Sequence, residues 1–313
     1  MKNIFRRIFF GDVVITEYST ITIEGDIREA VYLKSGNQTL DISSTHWLLC
    51  LDPIVFGVWV DKKENIQLVN REKKYKIYFD DSSDVRRKNN HVAILHLDLF
   101  DRIEEKQGSL FLLKLNKSRI YHTNPLKTIL LFYKYYRKPG LSLTKLKGFA
   151  SAYSYPRKVR VISFKEGGYY NIFPMDLVGA IPGSHYYAFG LRHTNIALSK
   201  IINAKKLVVS EFSYEHKDAI YNLGKHHSVA PPSLEMLPFK VKASKHFDFY
   251  IPEWVDSYKE IEIKKTMNLG SHMLMWGEWM DDVVLKPSTG HLYHIHFLHY
   301  FHQKGRGAYY PLI

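Results

Sequence analysis

Along this chain apolar and polar positions alternate in short runs far more often than they recur at helical spacing. Such runs cover Val13–Ile23, Glu29–Lys34, Thr45–Leu51, Val55–Val60, Tyr75–Phe79, Val92–Leu99 and Leu110–Leu115. They return at Lys158–Phe164, His185–Leu191, Lys206–Phe212, Glu260–Lys264 and His272–Trp279. A period of two puts successive side chains on opposite faces, so these runs predict strands with one face in a core. Helical spacing is confined to Asn65–Glu72, Asn195–Ala204 and Lys217–Leu223. Many short strands with few helices predict β-barrels, closed or split, because closure removes exposed sheet edges.

The pattern occurs twice. Val31–Gly36 lines up with Ile162–Gly167, Pro53 with Pro182, and Asn65-Ile66 with Asn195-Ile196, at a spacing of roughly 130 residues. Tyr75–Phe79 then falls opposite Leu207–Phe212, and Gly108–Leu112 opposite Gly270–Leu274. Between these last matches the second part has gained about 30 residues, within Ser213–Pro252. A repeat this long predicts a duplicated domain, since each copy can bury its own core. The expected division is 1–138 and 150–313, with a connector around Lys138–Ser154 where Pro139-Gly140 breaks an aromatic run.

Composition fits two folded units: 313 residues, 45% hydrophobic and 24% charged. No run approaches a membrane span, and residues 1–10 lack the apolar stretch of a secretory signal. Cys50 alone excludes an internal disulfide framework and fits a reducing compartment, so a cytoplasmic location is expected. The charge of +13 suits an anionic partner, yet the basic residues are scattered without a nucleic-acid motif. A basic surface that attracts anionic cofactors is the expectation, with neither nucleic acid nor membrane as partner. There is no Gly-x-Ser-x-Gly elbow, Walker loop or Gly-x-Gly-x-x-Gly, and no catalytic residue is assigned.

The candidate chemistry lies in the second copy. Gly167-Gly168 turns a strand and leaves Asn171, Ile172, Phe173, Pro174, Met175 and Asp176 extended, free to lie beside a flat ligand. In Arg192-His193-Thr194 a strand gives way to a helix expected to start near Thr194. Thr194 suits an N-cap, the helix start suits a phosphate, and Arg192 offers a fork for phosphate oxygens. The first copy reads Lys62-Lys63-Glu64 there, and the Glu64 carboxylate would repel a dianion. In the inserted segment, Lys225 and Ser228 are further candidates. His291, His294, His296, His299 and His302 crowd the tail at mixed spacings that fit no single face, so packing is expected there and no metal site.

The order of Tyr155-Pro156-Arg157-Lys158, Gly167–Asn171, Ile181-Pro182, Arg192-His193-Thr194, Lys206–Val209, Asn268–His272 and Gly277-Glu278 resembles the flavin reductase-like, FMN-binding split-barrel family, close to flavoredoxin. The resemblance covers about residues 150–310 and departs from the family at Ile181-Pro182-Gly183, where an Asp-Pro-Pro-like turn is usual. It implies a six-stranded split barrel, pairing of two barrels, and FMN at their junction, with FAD as the alternative. It places Asn171–Asp176 along the ring and ribityl chain and Arg192 and Thr194 at the phosphate. Fusion of two copies makes that pairing an intramolecular pseudo-dimer. The expected function is an NAD(P)H-dependent flavin reductase or related oxidoreductase acting on a small electron donor or acceptor. The alternatives are a non-catalytic flavin-binding or ligand-sensing module, and a structural pseudo-dimer without cofactor.

Overall fold

The computed structural model describes residues 18–62, 74–81, 91–288, 290–305, 307 and 310–313. The helix expected over Asn65–Glu72, the start of the run Val13–Ile23, and Lys63 and Glu64 lie outside them. The chain opens with β1 (Tyr18–Ile23), then β2 (Glu29–Ser35), β3 (Gln38–Asp41), β4 (His46–Leu51), β5 (Ile54–Asp61), β6 (Lys74–Asp81), β7 (His91–Glu104) and β8 (Gly108–Ile120). Helices α1 (Pro125–Leu131) and α2 (Leu143–Ala152) follow, with a π-helical turn between them. Next come β9 (Arg157–Lys158), β10 (Arg160–Glu166), β11 (Tyr169–Met175), β12 (Val178–Ala180), β13 (Tyr186–Arg192), α3 (Leu198–Ala204), β14 (Lys206–Glu211) and α4 (Lys217–Leu223). The last elements are β15 (Val241–Ala243), β16 (Tyr250–Pro252), β17 (Ser257–Asn268), β18 (His272–Val284), β19 (His291–His296) and α5 (Phe297–Lys304).

The protein is mainly β, and two seven-stranded antiparallel sheets dominate it. Their orders are β3-β2-β6-β7-β8-β5-β4 and β11-β10-β14-β17-β18-β13-β12, the same path through corresponding strands. Segments matched in sequence therefore occupy matching places, Val31–Gly36 in and just after β2 and Ile162–Gly167 in and just after β10. Among the described residues each sheet has seven strands where the resemblance implied six, and its edge strands do not pair with each other. Alternation drives the curl: Val31, Leu33, Phe56, Val58, Ile77, Phe79, Leu95 and Phe111 point into one core, and Phe164, Phe173, Phe189, Leu207, Ile261 and Met275 into the other. Bulges in β7 and β8 at His96/Leu97 and Leu99/Asp101 bend the long hairpin, as an unpaired extra residue does.

Register refines the correspondence. Asp61 faces Gly108 at the end of the β5/β8 ladder, as Arg192 faces His272 at the end of β13/β18. Trp59 N–H donates to Thr45 O and Gly190 N–H to Leu177 O, a matching pair of bonds. By position, then, Arg192 corresponds to Asp61, one residue before the Lys62 expected from sequence. Likewise Gly108 corresponds to His272, two residues after Gly270.

Corresponding strands of the two sheets also meet each other. Trp47, Leu49, Val55, Trp59, Leu110 and Leu112 share one core with Ile181, Ala188, Leu274 and Trp276. A large side chain fully buried there contributes about 2 kcal/mol. The approach is close. A Cβ on Gly179 would lie 1.7 Å from Trp47 Nε1, and one on Gly190 1.8 Å from Leu49 O.

Three features depart from the expectation of two separate stretches. The expected connector, Lys138–Ser154, contains α2, whose Ser142 side chain accepts from Lys145 N–H as N-cap and whose last residue, Ala152, enters the first core. Strand β1 pairs with β19, so the first and last described strands form one small sheet with β9. The His-rich tail packs with Leu131 and Phe132 through Ile295, Phe297 and Leu298, but as a strand and helix.

Candidate functional site

The free edge of β11 is where a ligand was expected to lie, and the inserted segment occupies it. His226 Nδ1 donates to Ile172 O at 2.8 Å, His227 Nε2 donates to Pro174 O at 3.0 Å, and Asn171 Nδ2 donates to His226 O at 3.0 Å. Asn171, Ile172 and Phe173 are fully buried beneath this cover. Their side chains are thus packed away from solvent, where the glycine turn led to the expectation of a segment free to lie beside a ligand. The turn itself is a hairpin, with Gly167 at φ +55° and Gly168 at φ +80°, conformations that favour glycine. Beyond it the backbone is extended but already paired to β10.

Where β11 runs out, the cover ends and a cavity of about 460 Å³ opens. Pro174, Met175 and Asp176 line it from this strand end, Arg192 and Thr194 from the end of β13, and Ser228 from the insertion. Six of the eleven expected binding residues thus share one cavity. His193 turns away, its Nε2 donating to Asn268 Oδ1 at 3.2 Å. Lys225 is exposed outside the lining, and its carbonyl accepts from Ser228 and Val229 N–H.

The helix expected near Thr194 starts later. Asn195 Oδ1 accepts from Ala197 N–H at 2.8 Å, and α3 begins at Leu198 with Ala197 as cap and no side-chain cap bond. Thr194 sits in the preceding turn, so its N-cap role fails. A helix of seven residues also gives little support for phosphate binding. What remains for an anion is the side-chain set. Arg192 is exposed at the cavity and makes no ion pair among the described residues. Thr194 and Ser228 add hydroxyls.

Two imidazoles beside Arg192 are held neutral. Burial, the Arg192 charge and to a lesser extent His193 push His272 down to about 4, against a smaller opposing pull from Asp176. His227 is lowered by burial and by Arg192, against its bond to Pro174 O. Its neutral form fits its contacts, since Nδ1 accepts from Asn195 Nδ2 at 2.8 Å while Nε2 donates.

Sequence reasoning missed the opposite chemistry of this cavity. Asp176 Oδ2 accepts from His294 Nδ1 at 2.9 Å and from Tyr153 OH at 3.3 Å. Burial raises this carboxyl, but the bonds from His294 and Tyr153, the His294 charge and Arg157 outweigh burial and hold it below the usual carboxylate range. His294 Nε2 in turn meets Tyr221 OH at 2.9 Å. Tyr18, Leu51 and Tyr153, from the first part of the chain, complete this wall with His272 and His294. The tail is thus more than packing, because His294 reaches the cavity. Among the described residues no three His, Cys, Asp or Glu side chains group to hold a metal ion.

A flavin mononucleotide needs a cationic, hydroxyl-bearing place for its phosphate and an enclosed place for its ring. Arg192 with Thr194 and Ser228 matches the first need, and the Tyr18, Tyr153 and Met175 side of the cavity the second. The one carboxylate present, Asp176, is already engaged by two donors.

No protein-family model and no curated protein matches the sequence. Among solved structures, the chain is similar to the NADH:FAD oxidoreductase SgcE6 of Streptomyces globisporus, with 12% identity and a TM-score of 0.43 over 50% of this chain and 94% of that one. It is similar to the FMN-binding protein from Thermus thermophilus with bound 1-cyclohex-2-enone, with 18% identity and a TM-score of 0.38 over 48% and 79%. The flavoredoxin of Methanosarcina acetivorans is similar at 12% identity and a TM-score of 0.37 over 42% and 69%. Among the described residues no helix is long and apolar enough to cross a membrane.

Proposed function

We propose that this chain binds FMN, with FAD as the alternative, in the cavity between β11, β13 and the inserted segment, as an NAD(P)H-dependent flavin reductase or related oxidoreductase. One observation carries the reading: Arg192, Thr194, Ser228 and Pro174–Asp176, chosen from sequence for flavin binding, line the same cavity. Arg192, Thr194 and Ser228 would hold the phosphate, and neutral His272 and His227 would line the cavity beside them without adding charge. Bound flavin would supply the hydride chemistry, which leaves the protein to bind and orient it. Asp176, held through Oδ2 by His294 and Tyr153, would accept from the polar edge of the ring through Oδ1.

The same proposal takes the chain as a tandem duplication, residues 1–138 and 150–313, arranged as a pseudo-dimer with one binding site. The shared strand order supports this reading, as does the loss of site residues from the first copy. Asp61 stands at the position of Arg192, and Trp59 at that of Gly190. Trp59 stacks on Trp276 at 6.0 Å, filling with rings the place that in the second copy opens as a cavity.

A second reading, a non-catalytic flavin-binding or ligand-sensing module, is favoured by the buried edge of Asn171–Phe173, which leaves less backbone to meet a ring. The absorption spectrum of the protein, as isolated and after FMN is added, tests both. Flavin bands that bleach with NADH or NADPH support the enzyme, and bands that persist support the module. A protein that stays colourless and takes up no FMN refutes both.

A further inference from the structure

The lysines that are scattered in sequence are gathered by register on the outer face of the first sheet. Lys34 lies directly opposite Lys76, Lys76 opposite His96, and His96 opposite Lys117, a single row across β2, β6, β7 and β8. With neighbouring strands about 4.8 Å apart, the row is roughly 14 Å long. Like charges placed directly opposite destabilise a sheet. Nonetheless, Lys34, Lys76 and Lys117 make no ion pair among the described residues. They line a groove of about 380 Å³ with Lys74, Asn116 and Asp98, the last already bonded to Asn116 Nδ2 at 3.0 Å.

The corresponding strands of the second sheet are built differently. There Lys206 faces Glu262 and Glu262 faces Glu278, while Val208, Glu260 and Asp281 form another row. Lys264 pairs with Glu262 at 2.8 Å, Lys245 with Asp281 at 2.7 Å, and Lys259 with Asp282. Two sheets with one strand order therefore differ sharply in charge on one face. The all-basic row is a property of this face and not of the fold.

The next row on the same face reads Tyr32, Tyr78, Ile94, Arg119. Tyr32 and Tyr78 stand directly opposite each other beside the lysines, half-buried, and the Tyr78 ring lies 4.9 Å from that of His91. A line of cations with a line of rings beside it is the chemistry of a surface that tracks a phosphate backbone and stacks its bases. Membrane binding would call for exposed apolar side chains among the cations, and the groove lining has none.

We propose that the outer face of β2-β6-β7-β8 binds single-stranded nucleic acid, with Lys34, Lys76 and Lys117 on phosphates and Tyr32 and Tyr78 under bases. This is independent of the flavin site and reverses the expectation drawn from the scattered lysines.

Fluorescence anisotropy with a labelled oligothymidylate about 12 nucleotides long tests it. The full chain is expected to bind, with affinity falling as salt rises. The Lys34→Glu/Lys76→Glu/Lys117→Glu variant should lose roughly tenfold or more in affinity and show a shallower salt dependence. A charge-matched control, Lys106→Glu/Lys240→Glu/Lys304→Glu, should lose much less. Tyr78→Leu should weaken binding with the salt dependence unchanged. The proposal is overturned if the full chain does not bind the oligonucleotide or if both triple variants weaken it equally. Tighter binding to a duplex, or to phosphatidylserine vesicles, would overturn it as well.

Discussion

His294 Nδ1 lies 2.9 Å from Asp176 Oδ2, tying the tail of the chain to the cavity wall 118 residues earlier. Tyr153 OH reaches the same oxygen at 3.3 Å, so the buried carboxylate has two donors. Removing one leaves part of that charge unsatisfied. His294→Ala is expected to cost on the order of 1–3 kcal/mol, read by denaturant unfolding. Because Asp176 titrates lower folded than unfolded, its contribution is present above its unfolded pKa and fades as pH falls below it. In His294→Ala the folded value lies closer to the unfolded one, so that acid-side loss should shrink, and Asp176→Asn should abolish it.

Glu211 gives a second pH dependence. Despite burial, Arg160 at 3.3 Å and Lys158 at 2.6 Å pull it down to about 2. Its stabilisation is complete above about 4.5 and is lost as pH falls toward 2. Lys158 is itself pushed down to about 8 by burial, which outweighs its attraction to Glu211. The pair is therefore worth less than the carboxylate alone implies. Glu211→Gln should cost about 2 kcal/mol at pH 7 after allowance for partial exposure, and little at pH 2. Unfolding free energies across that range check this.

Arg192 acts on His272 across the β13/β18 ladder, where the two residues are directly opposite. Burial is the larger cause of the low His272 value and Arg192 the next. Arg192→Gln should therefore raise the His272 pKa from about 4 partway toward 6.5. Histidine NMR titration checks it, and an unmoved His272 would separate the guanidinium from the cavity.

Close approach of the two sheets rests on glycine. A Cβ on Gly190 would meet the backbone at Leu49 O, which cannot swing away, whereas one on Gly224 has nothing within 4 Å. Both residues line the cavity. Gly190→Ala is expected to destabilise by about 2 kcal/mol or more and Gly224→Ala by little, as compared by thermal unfolding.

Much of this architecture was legible in alternation, because a strand with one face in the core leaves a local record. Leu110–Leu115 lies within β8, and Lys217–Leu223 is the helix expected. Short edge strands such as β12 leave too few positions for a pattern. α2 was hidden behind Pro139-Gly140, although Ser142 gives a capping signal. α3 starts late because Asn195 is held by His227, a partner 32 residues on.

The site was legible only where it is local. Arg192 and Thr194 follow from a strand end, and Pro174–Asp176 from the run after a glycine turn. The burial of Asn171–Phe173 depends on the insertion folding back over β11, which no short window records. Asp176 with His294, and Lys34 with Lys76, His96 and Lys117, are set by long-range pairing and register. In sequence they read as scattered charges.

The most direct measurement is a titration of FMN into the purified chain and into Arg192→Ala/Thr194→Ala, followed by flavin fluorescence, with circular dichroism to confirm folding. Saturable binding by the unaltered chain, weakened roughly tenfold or more in the variant, is the predicted result. Equal affinity in a folded variant, or no binding by either protein, would contradict a flavin phosphate at Arg192.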